Sequence, residues 1–229
     1  MVQPSRQAVG TSNRLLDALP AAERGRLAAA ARQERPKQGL ILGSRANPAT
    51  ELWFPHGGVI SLSLTDPDGR QVQTGLLGRE GCVGLEALFH GMPPLADATV
   101  QISGPMSVIP AAAVQAVLAS RPQAHAALSE FLFALAAQCL QTVACNRLHT
   151  LEQRCCRWLL MLLDRTGDLD LPLTQDMLAT MLGSGRPRIN ALLAQLEADG
   201  LLQRFRGRVH LLSRRNLEAR TCECYRLLA

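Results

Sequence analysis

The chain has 229 residues, enough for one large domain or two modest ones with a real buried core. Hydrophobic residues make up 47% and charged residues 19%, which excludes disordered, collagen-like and coiled-coil compositions, and aromatics at 3% argue against a stacking platform for single-stranded nucleic acid. The net charge is +5, and Lys37 is the only lysine, so nearly all positive charge is guanidinium, the group that matches phosphate and guanine edges bidentately.

Residues 1–14 have no apolar segment after their basic residues, so no secretory signal is expected. No uninterrupted apolar run reaches the roughly 18 residues of a membrane span. The nearest, 131–145, is broken by Gln138, Gln141 and Thr142, and a cytoplasmic protein is expected. Residues 14–33 are alanine-rich with Leu15, Leu16, Leu19 and Leu27, which predicts one or two short helices broken near Pro20. From 40 to 110 the chain reads as short β-like runs separated by turn signals at 56–58, 66–69, 78–81, 92–94 and 104–105. Within 59–65, Ile60, Leu62 and Leu64 alternate with Ser61 and Ser63, the period of a half-buried strand, and Asp66-Pro67-Asp68-Gly69 closes a hairpin onto 70–77. Strands at this spacing predict an antiparallel barrel or jelly roll.

After Pro110 the pattern turns helical. A short helix over 111–119 is followed by Arg121-Pro122 and a long helix to about His149. In it Leu128, Phe131, Leu132, Leu135, Cys139, Leu140 and Val143 recur at three- and four-residue steps. A helix this long and apolar needs a partner along much of its length. The expectation is a homodimer built on a parallel helix from a second subunit, with Leu128, Phe131, Leu132 and Leu135 at the contact. A further helix over 151–165 carries Trp158, Leu159, Leu162 and Leu163; Gly167-Asp168 ends it, and the stretch to Asp170 is a candidate boundary.

Residues 173–200 carry the strongest functional signal. Thr174 can cap a helix that has Asp176 in its first turn and Gly183 at its end. After Gly183-Ser184-Gly185 a second helix begins, with Pro187 where a missing N–H costs little. Ile189, Leu192, Leu193 and Leu196 face inward, leaving Arg186, Asn190 and Ala194 on the opposite face, the pattern of a helix-turn-helix that presents donors to a major groove. Residues 201–205 and 208–212 are two β-like runs joined by Arg206-Gly207, a basic wing. Residues 184–215 hold seven arginines against Glu197 and Asp199, a net +5 equal to the whole-chain charge, as expected for phosphate contacts.

Seven cysteines (82, 139, 145, 155, 156, 222 and 224) without a CxxC pair argue against a disulfide framework or zinc ribbon and read as reduced thiols. Cys222-Glu223-Cys224 together with Cys155-Cys156 could form a redox or metal site, but no spacing supports a closed tetrahedral set, so no metal is assigned.

In this order, a β-rich N-terminal half, a long apolar helix and a winged helix-turn-helix resemble the Crp/Fnr family of bacterial transcription regulators over nearly the full chain. The match is best over LTQDMLATMLGSGRPRINALLAQLEADGLLQRFRGRVHLL, residues 173–212. The implied fold is α+β, with an N-terminal β-roll or jelly-roll sensor over 1–120, a long dimerisation helix over 121–150 and a winged helix-turn-helix over 151–229. By the resemblance Arg186 falls on the guanine-reading arginine. Pro187 and Ala191 stand where the cyclic-AMP receptor has a glutamate and a second arginine, so the operator should differ from that regulator's. Arg188, Asn190, Ser184 and Gln175, with Arg206 and Arg208 of the wing, complete the expected DNA contacts.

The resemblance places an effector site near Gly84, Glu86 and Asp97. Asp97 lies where cyclic-nucleotide-binding members have their phosphate arginine, and a carboxylate there would repel a phosphate, which disfavours cyclic AMP bound in the usual way. The N-terminal cysteines of iron–sulfur members are missing, since the first cysteine is Cys82, and haem would need one of the scattered His56, His90, His125 or His149. The effector is left as an unidentified small molecule or redox signal. The expected function is a homodimeric activator or repressor that reads a palindromic site in double-stranded DNA, with RNA polymerase as a further partner. The alternative is a β-barrel ligand-binding or scaffold protein whose helical C-terminus mediates protein contacts. No nucleophile elbow, P-loop or paired-carboxylate motif supports an enzyme.

Overall fold

The computed structural model describes residues 13–227 apart from 45, 48, 90, 91 and 121, so His90 as a haem candidate and Arg121 as a helix break lie outside the described residues. Two short helices, α1 (Arg14–Asp17) and α2 (Ala21–Ala30), flank Pro20. Asn13 caps α1 by accepting from the N–H groups of Leu15 and Leu16, while its amide donates to the carbonyls of Pro55 and Gly81 at 2.9 and 2.8 Å, tying α1 to the strands.

Seven strands follow: β1 (Arg32–Glu34), β2 (Ile41–Gly43), β3 (Glu51–Pro55), β4 (Val59–Thr65), β5 (Gln71–Leu77), β6 (Asp97–Ile102) and β7 (Met106–Pro110). They form two antiparallel sheets, in the orders β1-β7-β3 and β2-β6-β4-β5, around a core that includes Leu52, Phe54, Ile60, Leu77, Met106 and Ile109. The β4–β5 hairpin turns at 66–69, where the Asp66 carboxylate accepts from the Arg70 N–H at 2.8 Å. The expected polar face of β4 is not solvated. Ser61 and Ser63 are buried, whereas Leu64 is 44% exposed. The reason is that Val59 and Leu76 on the outer side of this sheet join a second core with the C-terminal helices, so both faces near the start of β4 are covered.

Three helices come next: α3 (Ala111–Ser120), α4 (Pro122–Leu148) and α5 (Leu151–Thr166). The break between α4 and α5 is set by a capping box in which Thr150 accepts from the Gln153 N–H and the Gln153 side chain accepts from the Thr150 N–H. α4 has 27 residues and is about 40 Å long at 1.5 Å per residue. By length and composition alone it is long and apolar enough to cross a membrane, although Gln138, Gln141 and Thr142 interrupt its apolar run. Here it lies along the roll, where the buried Gln138 side-chain Oε1 accepts the Leu76 N–H on the outer edge of β5 at 2.6 Å.

The expected contact stripe of α4 needs correction. Phe131 is buried in the roll's core, Leu128 and Leu135 pack against that core, and Leu132 is half-buried. These residues face their own domain because the β-roll leaves apolar surface that this helix covers. The outward apolar positions are Phe133, Leu140 and Val143, 80%, 72% and 64% exposed, at the heptad spacing of a helix–helix seam.

In α5 every side chain from Cys155 to Leu163 is buried. The stretch after Gly167, read as a boundary, instead feeds a short strand, β8 (Asp170–Leu171). The C-terminal unit continues as α6 (Gln175–Leu182), α7 (Arg186–Ala198), β9 (Leu202–Phe205), β10 (Arg208–Leu211), α8 (Arg214–Arg220) and α9 (Cys224–Leu227). β8 pairs with β10, giving a three-stranded wing sheet in the order β8-β10-β9.

A Cβ at Gly81 would stand 2.0 Å from the Phe131 ring, so this glycine is what lets α4 approach the roll. Gly81→Ala should therefore lower stability by about 1–3 kcal/mol through forced displacement of Phe131, read as a fall in the urea midpoint.

Candidate nucleic-acid interface and sensor pocket

The helix-turn-helix is built by local signals that agree with one another. Thr174 Oγ1 accepts from the Met177 N–H at 3.2 Å at the start of α6, and Gly183, with φ of 56°, ends that helix in the left-handed region. Gly185 then precedes α7, with Pro187 in the first turn. Leu178, Leu182, Ile189, Leu193 and Leu196 are buried, so Arg186, Arg188, Asn190, Ala191 and Ala194 stay exposed on the outer face of α7.

The basic side chains on this face differ in how they are held. Arg186 is paired with Asp176 of α6. Asn190 Oδ1 accepts from Gln175 Nε2 at 2.9 Å and from Arg204 at 3.4 Å. Arg204 also clamps Glu197, through its backbone N–H at 2.8 Å and its guanidinium at 2.7 Å, and these bonds hold the Glu197 carboxyl below its usual pKa. In the wing the Arg208 guanidinium stacks 4.5 Å over the Phe205 ring and lies 4.0 Å from Asp170. Arg188 and Arg206 have no acidic partner among the described residues, and both are exposed. Ser184 is half-buried in the turn. A cleft of about 320 Å³ separates the wing from the two helices, with Gln175, Arg186, Arg206 and Arg208 on its walls. The expected DNA contacts are thus brought to one surface. Phe205 and Arg204 are the parts that pattern reading did not single out, because their roles depend on the wing folding back over α7.

A second cavity of about 330 Å³ sits between the roll and α4. Gly84 and Glu86 line it with Phe89 and Leu95, and Leu132 and Leu135 of α4 close its far side. Glu86 is the one charged residue of this lining among the described residues. Gly84 has φ of 88°, and a Cβ there would meet the Glu51 carbonyl oxygen at 2.2 Å, which is why the wall can turn so tightly. Asp97 does not line the cavity, which corrects its expected place in the effector site. Strand alternation turns Ala96 and Ala98 inward, and the Asp97 carboxylate accepts from the Thr65 hydroxyl at 3.0 Å. Repulsion by Asp97 is therefore no argument against a phosphate in this cavity, whose described lining holds Glu86 and no cation.

The cysteines also group otherwise than the sequence suggested. Cys155 and Cys156 are buried in the α5 core, and burial pushes the Cys156 thiol up to about 12. Cys222 and Cys224 instead meet Cys145 and His149 from the last turn of α4 and the residue after it. His56, another haem candidate, is taken up by Ser107, whose Oγ is 2.6 Å from its Nε2, and His125 is exposed.

Comparison with known proteins places this geometry among characterised folds. Residues 34–121 match the cyclic nucleotide-binding domain family and residues 153–220 match the Crp-like helix-turn-helix domain family. No curated protein matches the chain. Among solved structures, the chain is similar to a Crp/Fnr family transcriptional regulator from Eubacterium rectale, with 19% identity and a TM-score of 0.70 over 90% of this chain and 96% of that one. FixK2 from Bradyrhizobium japonicum aligns with 16% identity and a TM-score of 0.70, covering 84% of this chain and 98% of its own. The c-di-GMP responsive global regulator CLP from Xanthomonas campestris aligns with 20% identity and a TM-score of 0.67, covering 85% and 100%.

Thr174→Ala should remove the cap of the first helix at a cost of about 1 kcal/mol. Thermal melts followed by circular dichroism should show a lower midpoint for this variant.

Proposed function

Because the chain belongs to the Crp/Fnr family of transcription regulators, we propose that it acts as a cytoplasmic homodimer that reads a palindromic operator in double-stranded DNA and responds to a small molecule held in the roll. The observation that carries the DNA reading is the exposed outer face of α7 together with the wing, on which Arg188 and Arg206 have no acidic partner among the described residues. Phosphates would compete with Asp176 for Arg186, and the guanidinium so freed would reach a guanine edge, while Gln175, Ser184, Arg206 and Arg208 hold the backbone. Two copies set about one helical turn apart would place two such helices in successive major grooves.

The outer face of α4 supports the dimer. Phe133, Leu140 and Val143 are too exposed to leave in water, and a parallel copy of the helix would cover them. The cavity supports an effector that is mostly apolar and offers at most one hydrogen-bond donor or cation to Glu86. A nucleotide held through its phosphate would find no cation among the described lining residues. Because Leu132 and Leu135 close the cavity from α4, a ligand in it would press on the helix whose other face makes the proposed dimer. Activation would add a contact with RNA polymerase.

Arg186→Ala should cost about 1–3 kcal/mol in operator binding and relax preference at one base pair. Arg206→Ala should weaken binding to all sequences alike and reduce the slope of log affinity against log salt by about 1. Fluorescence anisotropy with operator and scrambled duplexes over a salt series checks both; unchanged binding in both variants rejects this surface. Leu140→Glu should give a monomer by light scattering.

A further inference from the structure

Four ligand-bearing side chains that the DNA reading does not use converge at the C-terminal end of α4. Cys145 and His149 stand four residues apart and so share one side of the helix axis. Cys222 comes from the turn that leads into α9 and Cys224 is the first residue of that helix, where the Tyr225 N–H donates to the Cys222 carbonyl at 3.1 Å. One ligand atom from each lies within 4.8 Å of every other, and the three cysteines are buried. Cys145 Sγ is 3.6 Å from Cys222 Sγ, and Cys224 Sγ is 3.6 Å from His149 Nδ1. A tetrahedral zinc ion with bonds of about 2.3 Å to sulfur and about 2.0 Å to nitrogen needs ligand edges of roughly 3.5–3.8 Å. We propose that Cys145, His149, Cys222 and Cys224 form a closed tetrahedral site for one thiophilic divalent cation of the zinc type, which fastens the C-terminal arm to the end of the long helix.

The surroundings match what such a site requires. His149 Nε2 lies 3.2 Å from a Glu223 carboxylate oxygen, so that nitrogen carries the proton and Nδ1 presents its lone pair to the sulfurs. The Gln141 amide donates to Cys224 Sγ at 2.9 Å, the kind of bond that stabilises a thiolate. Arg157 supplies the charge. It is 5% exposed; among the described residues its guanidinium reaches Thr142 Oγ1 at 3.5 Å and the Met161 sulfur at 3.7 Å, and its Nε has no partner. Among the described residues no carboxylate pairs with it, so a buried cation is left without an anion. Three thiolates and a neutral imidazole around a dication carry a net charge of −1, which Arg157 would offset. Thr142, the hydrogen-bond partner of Arg157, stands three residues before Cys145 on α4. Binding would release the three thiol protons to solvent, leaving each sulfur's electron pair for the metal. With four protein ligands and no open position the site is structural, and ligand atoms this close have room for one ion and not for an iron–sulfur cluster.

The test uses the full-length protein, stripped with a chelator under reductant and titrated with Co²⁺. About one Co²⁺ per chain should bind, with the intense visible bands of a tetrahedral thiolate site that Zn²⁺ then abolishes. The double variant Cys222→Ser/Cys224→Ser should lose this uptake, whereas His149→Cys should keep it with shifted bands. The proposal is overturned if wild-type protein that is folded by circular dichroism takes up no stoichiometric Co²⁺, if the spectrum is the weak one of an octahedral ion, or if the double variant binds as the wild type does.

Discussion

The fold depends on α5, a helix with nine consecutive side chains, Cys155 to Leu163, withdrawn from water. A helix buried on all sides must be covered by several layers at once. Val59, Leu76 and Ile102 of the roll, Leu178, Leu182, Ile189 and Leu193 of the helix-turn-helix, and Leu217 and Tyr225 of the C-terminal arm all share one buried cluster with it. The roll and the winged unit are therefore not two beads on a linker; they share one continuous core. Polar ties reinforce it, as when Arg165 donates to Glu80 at 2.7 Å and to the Leu76 carbonyl at 3.3 Å, and Arg220 bridges Glu152 and Asp199. Reorienting the winged unit against the roll means opening part of this core, which favours discrete arrangements over continuous drift.

The long helix α4 divides its work by face. Its inner face meets the roll through Phe131, Leu135 and Gln138, and two of its leucines close the apolar cavity. Its outer face carries Phe133, Leu140 and Val143. The proposed effector and the proposed second copy would thus act on opposite sides of one rigid element. The shortest physical route between them is a shift of that helix rather than a chain of side-chain rearrangements. Its C-terminal end carries Cys145 and His149, so the proposed metal would anchor the same element where the chain turns into α5.

The positive charge is concentrated but partly neutralised within the protein. Arg186 rests on Asp176, Arg204 on Glu197, and Arg214 on Asp164 and Glu218, whereas Arg188 and Arg206 on α7 and the wing have no acidic partner among the described residues. Exposed pairs of this kind contribute little to stability, so exchanging a carboxylate for a phosphate costs little. The internal pairs hold long side chains near their working positions before DNA arrives, which reduces the conformational entropy lost on binding.

Local chemistry made much of this legible in the residue order. The alternation of β4, the Asp66–Gly69 turn, the Thr174 cap, Gly183 and Pro187 each act within a few residues, and the elements they imply form where expected. The exposed basic face of α7 was legible for the same reason, since this helix has one apolar face and the arginines occupy the other. The failures all involve partners far apart in the chain. Which face of α4 meets its own roll depends on a surface made by β5 and Gly81, dozens of residues away. Asp97 turns out of the cavity because pairing in the sheet sets its register, and Ser61 is buried because helices from the C-terminal half cover that sheet. The grouping of Cys222 and Cys224 with Cys145 and His149, not with the nearer Cys155 and Cys156, has the same origin. Periodicity tells that a side chain shares a face with its neighbours in sequence. What lies opposite that face is decided when distant segments compete to bury apolar surface, and no short window of residues contains that competition.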